Sequence, residues 1–244
     1  MNAVRVCEGE ALMKGTFHGL GLGPGDPELV TLKSWRLISS VEVIAWPVGP
    51  SGRARAREVV DPLLPDDVIT LPLSIPFGEK GAALEAAYDA AARRIADHLD
   101  EGRDVAWLCL GDPLFHGTYV PLAARLAESY PVRAVPGVIA PVAAAAVLGR
   151  PLAMGSGIFK VLPATTDAER LKAELATGPA TIAFIKTGRH GPALRTMIDE
   201  AGLADHAWAV ADIGRPEQRV LPMAQLDESD LPYFSTILVF PPQA

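Results

Sequence analysis

Three glycine-bearing segments are the parts of this sequence in which main-chain atoms are best able to approach a ligand. They are Gly19-Leu20-Gly21-Leu22-Gly23-Pro24-Gly25-Asp26-Pro27, Leu110-Gly111-Asp112-Pro113-Leu114-Phe115-His116-Gly117-Thr118 and Pro136-Gly137-Val138-Ile139-Ala140-Pro141. Glycine has no Cβ, so it adopts positive φ at little cost and lets a ligand or a neighbouring strand come close. Taken one at a time, each segment also fits an ordinary turn, and Asp112 fits a local cap of such a turn. Their chemistry therefore depends on the elements that position them.

The first segment does not have the spacing of a dinucleotide-binding loop. Such a loop needs G-x-G-x-x-G at the start of a helix. Here Pro24 interrupts the glycines, and the first helix signal, an N-cap at Thr31, comes several residues later. A nicotinamide-dependent oxidoreductase is therefore disfavoured.

The cysteines and histidines have no metal-binding pattern. The two cysteines are Cys7 and Cys109, and five histidines are scattered at positions 18, 98, 116, 190 and 206. Cys109 lies in a continuous apolar run, where a small buried side chain is expected. We predict neither a disulfide framework nor a metal site.

The composition narrows the class of protein. The chain has 244 residues, 49% of them apolar, and a net charge of −7 from 29 acidic and 22 basic residues. Nucleic acid is an unfavourable partner, because phosphate binding requires a surplus of Lys and Arg. No apolar run approaches the roughly 18 residues of a membrane span, and no secretory signal is visible. We expect a cytoplasmic globular protein without membrane contact, with a loose polar tail over residues 1–14.

Strands and helices alternate along the chain, which predicts an α/β protein. In the first part, strands are predicted at 16–22, 41–46, 68–73 and 105–110, and helices from Thr31, over 79–99 and over 118–129. The proline-flanked stretch 130–137 breaks this pattern and is interpreted as the connection between two lobes, 1–134 and 135–244. In the second lobe, helices are predicted at 141–148, 167–176 and 191–201, and strands at 157–162, 180–186, 206–212 and 235–240. We expect a mainly parallel sheet in the first lobe and a mixed sheet in the second.

In their order and separation, the three glycine segments resemble the tetrapyrrole (corrin/porphyrin) methyltransferase family. The family pattern G-x-G-P-G-D-P-x-L-x-T-L is matched over residues 21–32. Four further segments resemble the branch of that family that methylates precorrin-2 at ring carbon 20. They are Ile44-Ala45-Trp46-Pro47-Val48, Val161-Leu162-Pro163-Ala164-Thr165, Lys186-Thr187-Gly188-Arg189 and Leu231-Pro232-Tyr233-Phe234-Ser235.

The resemblance implies a homodimer that holds S-adenosyl-L-methionine in a cleft between two α/β lobes and releases S-adenosyl-L-homocysteine. The cofactor-binding residues that it implies are Pro24, Leu110, Gly111, Asp112, Phe115, Ile139, Ala140, Ile185, Lys186, Ala211, Asp212 and Ile213. The sequence departs from many relatives in two places. Ile139 and Ala140 stand where hydroxyl residues are frequent, and His116 stands where an aromatic residue is frequent.

The reaction implied by the resemblance needs little side-chain chemistry, because a sulfonium is already a strong electrophile and the reduced macrocycle offers an electron-rich carbon. The protein then aligns the reactants and excludes water. A base must still take the ring proton; the sequence does not identify it, and His116 and Asp26 are the candidates. The substrate carries many carboxylates, which require local cations on an acidic protein. The candidates for substrate contact are Trp46, Arg53, Arg55, Arg57, His116 and Lys186.

Several alternatives stay open at this point. The three arginines also fit a solvated helix start; they would share one face of a strand, whereas on a helix only Arg53 and Arg57 would. Trp46 and Phe77 are able to stack on a macrocycle, but we expect Phe77 to be in the core. Within the family, the substrate is either metal-free or cobalt-loaded, or another ring position is methylated. A protein of a different class, one that binds a tetrapyrrole or a nucleoside without turnover, would keep the same cleft.

Overall fold

The computed structural model describes residues 13–50, 52–77, 79–225, 231 and 234–242. The chain forms two compact units: the first runs up to Leu22 and again over Thr31–Gly137, and the second comprises Gly23–Val30 and the chain from Val138 onward. The division after Gly137 lies three residues beyond the expected boundary at 134/135. The short segment Gly23–Val30 belongs to the second unit, which no sequence pattern indicated.

The predicted tail lies largely outside the described residues, which begin at Met13. Lys14 is held in place, since its Nζ lies 3.5 Å from Asp100 Oδ1 and 4.6 Å from the centre of the Tyr130 ring. The end of the predicted loose tail is therefore attached to the first unit.

The first unit is built on a five-stranded parallel sheet with the strand order β3-β2-β4-β1-β5. Its strands are β1 (Phe17–Gly21), β2 (Val43–Val48), β3 (Ile69–Ser74), β4 (Val105–Cys109) and β5 (Val132–Val135). The connection that leaves β1 and the one that leaves β4 run in opposite directions along the sheet. Adjacent strands with divergent connections mark the position where open α/β sheets bind ligands, outside the carboxyl ends of the strands.

The helices of this unit are α1 (Leu32–Ile38), α2 (Arg55–Val60), α3 (Ala82–Asp100) and α4 (Tyr119–Leu126). Thr31 caps α1 as expected, because its Oγ1 accepts the N–H of Ser34 at 3.2 Å. The apolar stripe of α3 packs with α4 on the face of the sheet that carries Phe17 and Trp107. The predicted helical spacing is confirmed there.

The interpretation of 130–137 as a connection between lobes is wrong in its middle part. Residues Val132–Val135 form β5, an edge strand that pairs in parallel with β1. Pro131 and Pro136 bracket a strand of only four residues, and an edge strand needs partners on one side only. The sequence therefore looks like a linker although it completes the sheet.

The second unit contains the mixed sheet that was expected, with the order β6-β7-β10-β8-β9. Its strands are β6 (Ile158–Pro163), β7 (Ala180–Ile185), β8 (Ala207–Ala211), β9 (Arg219–Pro222) and β10 (Ser235–Val239), and its helices are α5 (Ala140–Leu148), α6 (Ala168–Ala176) and α7 (Gly191–Glu200). β10 runs antiparallel to both β7 and β8, and β6 runs parallel to β7. The carboxyl ends of β6, β7 and β8 therefore meet at one edge of this sheet. The short strand β9 was not predicted.

In the described part of the chain, none of the helices has the length and apolar character of a membrane span. No group of three or more His, Cys, Asp or Glu residues is placed there so that it could hold a metal ion.

Candidate functional site

The three turns that follow β1, β4 and β5 are packed against one another at the carboxyl edge of the first sheet. A Cβ added at Gly21 would lie 2.5 Å from the nitrogen of Gly137. A Cβ at Gly137 would collide with the carbonyl oxygen of Gly111 and lie 2.8 Å from the Cα of Gly21. Real Cβ atoms do not come this close to backbone, so only glycine fits at positions 21 and 137. Glycines from the three segments found in the sequence thus meet at one point.

Asp112 joins the second and third of these turns. Its Oδ2 accepts the N–H of Gly137 at 2.9 Å, and its Oδ1 accepts the N–H of Leu114 at 2.8 Å. Charge-assisted hydrogen bonds of this kind are the stronger ones in proteins. The side chain of Asp112 therefore anchors the turns, and what this segment offers a ligand is the main chain beside it.

The main chain at Gly111 is open on one side. Its φ is +78°, and among the described residues no atom lies within 4 Å of a Cβ placed there. Phe115, two residues after the turn, is half-buried, and its ring lies 5.0 Å from that of the exposed His116 in an edge-to-face arrangement. Phe115 thus follows the open backbone of Gly111 closely in sequence, and an aromatic ring is a group that attracts flat or cationic ligands.

In the second unit, the first glycine segment packs against the turn that follows β8. A Cβ at Gly25 would lie 2.5 Å from the carbonyl oxygen of Ile213, and a Cβ at Gly214 would lie 2.6 Å from the nitrogen of Asp26. Pro24, which directly precedes Gly25, is half-buried. The structure thus places Pro24 near the predicted positions 211–213, although they are far apart in sequence.

Three residues other than glycine have a left-handed backbone in the described part of the chain: His116, Lys186 and Asp212, with φ of 54°, 57° and 47°. All three were named as candidates from the sequence. Lys186 directly follows β7 and Asp212 directly follows β8, at the edge where these strands end. Such conformations cost about 1–3 kcal/mol and concentrate at functional sites.

Ile139 and Ala140 begin α5. Ile139 occupies the N-cap position, and no side-chain hydrogen bond caps the helix there. This agrees with the loss of a hydroxyl group at these positions that the sequence comparison with the family indicated. Both residues are half-buried, so that only main-chain and apolar contact is available from them.

The structure does not place the three arginines on one face. α2 begins at Arg55, so Arg53 precedes the helix and lacks the helical spacing to Arg57. Arg57 pairs with Asp61 and lies 5.4 Å from the centre of the Trp46 ring. Burial lowers the pKa of Arg57. Arg57 is thus an internal partner of Trp46 and Asp61.

The prediction for Phe77 is wrong, and the structure decides the question that was left open for Trp46. Trp46 is only 8% exposed and belongs to the core, whereas Phe77, which was expected in the core, is 43% exposed. The Phe77 ring packs over Gly49, where a Cβ would lie 2.6 Å from Cδ2. Gly49 follows β2, and Phe77 comes three residues after β3. Of the two rings, Phe77 is therefore the one accessible to a macrocycle, and Gly49 is the signal that could have identified it.

The two candidate bases, Asp26 and His116, differ in their surroundings. Asp26 Oδ1 accepts the N–H of Glu28 at 2.9 Å and caps a short 3₁₀ turn over Pro27–Leu29. His116 is exposed in its left-handed turn. The structure therefore gives Asp26 a local structural role.

The described units are those of a two-part α/β protein with glycines in the turns that follow its strands, and comparisons with known proteins assign the family. The model of the Tetrapyrrole (Corrin/Porphyrin) Methylases matches residues 16–227. The chain belongs to this family.

Relatives cover nearly the whole chain. The cobalamin biosynthesis protein CobIJ of Mycobacterium tuberculosis is 39% identical over 93% of this chain, and the chain spans only 46% of that protein. Precorrin-2 C(20)-methyltransferase of Sinorhizobium is 36% identical over 92% of this chain and 95% of its own length. Cobalt-precorrin-2 C(20)-methyltransferase of Salmonella typhimurium is 27% identical over 93% and 97%.

A solved structure shows the same fold. Uroporphyrin-III C-methyltransferase of Thermus thermophilus, complexed with S-adenosyl homocysteine, superimposes with a TM-score of 0.67 at 20% identity, over 93% of this chain and 97% of its own. The likeness at this identity concerns the fold alone.

Proposed function

We propose that the protein transfers a methyl group from S-adenosyl-L-methionine to ring carbon 20 of precorrin-2, which gives precorrin-3A. The observation that carries this proposal is the 36% identity to a precorrin-2 C(20)-methyltransferase over almost the full length of both chains. The family match and the packed glycine turns support the same reaction class.

The residues in the turns fit the methyl donor. The open backbone at Gly111 has a positive φ that favours glycine, and the half-buried Phe115 lies close by in sequence. A main-chain cradle beside an aromatic ring suits a sulfonium, because carbonyl oxygens and ring faces attract a cation without a full negative charge. We assign residues 110–112, Phe115, Pro24, Ile139 and Ala140 to this site. Ile185, Lys186 and residues 211–213 are assigned to its adenosine side.

The donor supplies an activated methyl group; the work of the chain is positional. Asp112 holds the Gly137 and Leu114 N–H groups, so it fixes the turns whose main chain receives the donor. Displacements of about 1 Å at such sites cost on the order of a hundredfold in rate. As the new bond to carbon 20 forms, the proton on that carbon must leave to a base. We assign this proton to His116 or to solvent, because the Asp26 carboxylate already caps a turn.

The test is a single-product experiment. Precorrin-2 is incubated with the enzyme and a donor with a labelled methyl group; mass spectrometry counts the added methyls, and NMR locates them. One new methyl at carbon 20 supports the proposal. Methylation elsewhere in the ring contradicts it, and binding without turnover identifies a non-catalytic binding protein instead.

A second substrate is favoured by a specific observation, the likeness to the Salmonella cobalt-precorrin-2 enzyme. Its lower identity, 27% against 36%, places it second. The ratio of kcat/KM for precorrin-2 and its cobalt complex, measured side by side, decides between the two forms.

We propose that the enzyme works as a homodimer in the cytoplasm. Large exposed apolar side chains on α1 and before or within β6 support an interface, for example Leu32, Met154 and Ile158 with exposures of 72%, 75% and 57%. Light scattering after size-exclusion chromatography tests the stoichiometry; a monomer at micromolar concentration contradicts it.

A further inference from the structure

A pocket of about 260 Å³ lies in the first unit, on the face of the sheet opposite α3 and α4. His18 of β1 contributes to its wall, as do Lys33, Arg36 and Leu37 of α1 and Arg133 of β5. His18 and Arg133 are register partners in adjacent parallel strands, so their side chains emerge on the same face. The pocket is thus bounded by two strands and one helix, and its polar side chains are all potential cations.

Among the described residues, the lysine and the two arginines at the pocket have no acidic partner. No carboxylate lines the pocket, and within the described ranges neither Lys33, Arg36 nor Arg133 has an acidic group at salt-bridge distance. The chain as a whole has more acidic than basic residues, 29 against 22. The surroundings of this cavity are therefore positively charged, although the chain as a whole carries a net negative charge.

His18 has an unsatisfied polar atom at this pocket. The residue is 7% exposed, and its buried Nδ1 has no hydrogen-bond partner. Its Nε2 lies 3.5 Å from Asp104 Oδ2, at the long end of an ion pair. Buried polar groups in proteins are nearly always hydrogen-bonded. An anion in the pocket would therefore act on this buried imidazole through its charge.

We propose that this pocket binds a small oxyanion, such as sulfate or phosphate, between His18, Arg133 and the two cations of α1. Its volume accepts an ion of that size and excludes a tetrapyrrole. Guanidinium groups present paired donors that match the oxygens of such anions. The site is independent of the methyl donor, since it uses none of the residues assigned to it.

Binding is expected to depend on pH through His18. Burial lowers the pKa of this imidazole, and the charges of Arg133 and Lys33 lower it further, while Asp104 opposes them. Arg36 is the remaining cation at the pocket. An anion favours the protonated ring, so it raises the pKa of His18. The affinity for the anion therefore rises as the pH falls through that pKa.

Sulfate titrated into the full-length protein by calorimetry tests the proposal, because sulfate keeps its charge over the range in which histidine titrates. We expect saturable binding. Arg133→Gln and Lys33→Gln each weaken it by about tenfold, the loss of one charged hydrogen bond. Arg93→Gln is the matched control, because Arg93 is exposed on α3, which packs on the other face. We expect it to change the affinity by less than about twofold, as for a distant surface charge.

Two further measurements complete the test. In histidine NMR spectra, sulfate should raise the pKa of one imidazole, and that signal should be absent in His18→Gln. Phosphate and succinate titrations distinguish the source, since tighter phosphate binding indicates a free inorganic ligand and tighter succinate binding indicates a carboxylate. The proposal is overturned by unsaturable binding, by an equal loss in Arg93→Gln, or by undiminished binding in both pocket variants.

Discussion

The turns at the carboxyl ends of the strands are stabilised in different ways in the two units. In the first unit, the turns after β1, β4 and β5 rely on glycines that nothing larger can replace and on one carboxylate, Asp112, that joins them. In the second unit, the turns after β7 and β8 place Lys186 and Asp212 in a left-handed backbone, which glycine would adopt more easily. The first set of turns is fixed by close packing, and the second carries strain. The comparison predicts opposite responses to substitution at the two edges.

Gly137→Ala tests the packed edge most directly. The added Cβ would collide with the Gly111 carbonyl and crowd Gly21, and backbone atoms cannot move aside as a side chain can. We expect the free energy of unfolding to fall by about 3 kcal/mol, the upper range for overpacking. The affinity for S-adenosylhomocysteine should fall by about a hundredfold or more, because the turns lose their alignment. Urea denaturation and calorimetry measure the two effects.

Gly111→Ala is the matched control, since it adds the same methyl group where the described structure leaves the space open. Only the positive φ is then penalised, at about 1–2 kcal/mol. If both variants lose the same stability, close packing is not what distinguishes position 137.

Asp112→Ala is expected to have the next largest effect. It removes the acceptor of the Gly137 and Leu114 N–H groups. Hydrogen bonds to a charged group contribute about 1.5–3 kcal/mol each to stability. If the binding site loses the equivalent of one such bond, about 2 kcal/mol, the affinity for S-adenosylhomocysteine should fall by about thirtyfold. Calorimetric titration provides the measurement.

Asp26→Ala serves as the comparison from the second unit. It removes one exposed capping bond, to the N–H of Glu28, with an expected cost of about 1 kcal/mol or less. If Asp26→Ala lost more affinity for S-adenosylhomocysteine than Asp112→Ala, the proposal that Asp112 matters more than Asp26 for donor binding would be wrong.

The same difference explains what the sequence could reveal. The packed edge requires glycine, so its turns appear as a motif, and the order of β1, β4 and the three segments could be read without a structure. The strained edge uses Lys186 and Asp212, whose residue types give no sign of a left-handed backbone. The four residues of β5 are hidden between two prolines, because an edge strand needs neither length nor two neighbours.

Long-range contacts account for the remaining errors. The exposure of Phe77 depends on its packing over Gly49, and the burial of Trp46 depends on the strands beside β2 and on Arg57. Residue type and local spacing carry no information about either contact. The packing of residues 23–30 against the turn after β8 is of the same kind.

Lys186→Gly tests the strained edge, where the expected effect on stability has the opposite sign. Glycine adopts the left-handed backbone without the cost of a Cβ, so the free energy of unfolding should rise by about 1 kcal/mol. For a chain of this size, that raises Tm by about 2–4 °C. Calorimetric melting measures this change. Gly178→Ala is the control, because it introduces a Cβ at an open position with φ of +58° and should therefore lower Tm, whereas Lys186→Gly should raise it. A destabilised Lys186→Gly would mean that the Lys186 side chain contributes more than its backbone strain costs.

Phe77→Ala tests whether an exposed ring of the first unit contributes to substrate binding, whereas the packed turns of the same unit contribute to stability. Because the ring is 43% exposed, we expect little loss of stability, but a rise in KM for the tetrapyrrole of about three- to tenfold with kcat retained. That rise corresponds to one aromatic stacking contact of about 0.5–1.5 kcal/mol.

Trp46→Ala is the matched comparison and should lower stability instead, with a loss of about 3–5 kcal/mol from the core. Steady-state kinetics with precorrin-2, together with urea denaturation of both variants, separates the two roles. An unchanged KM in Phe77→Ala would remove this ring from the substrate site and leave its contact with Gly49 as its only role.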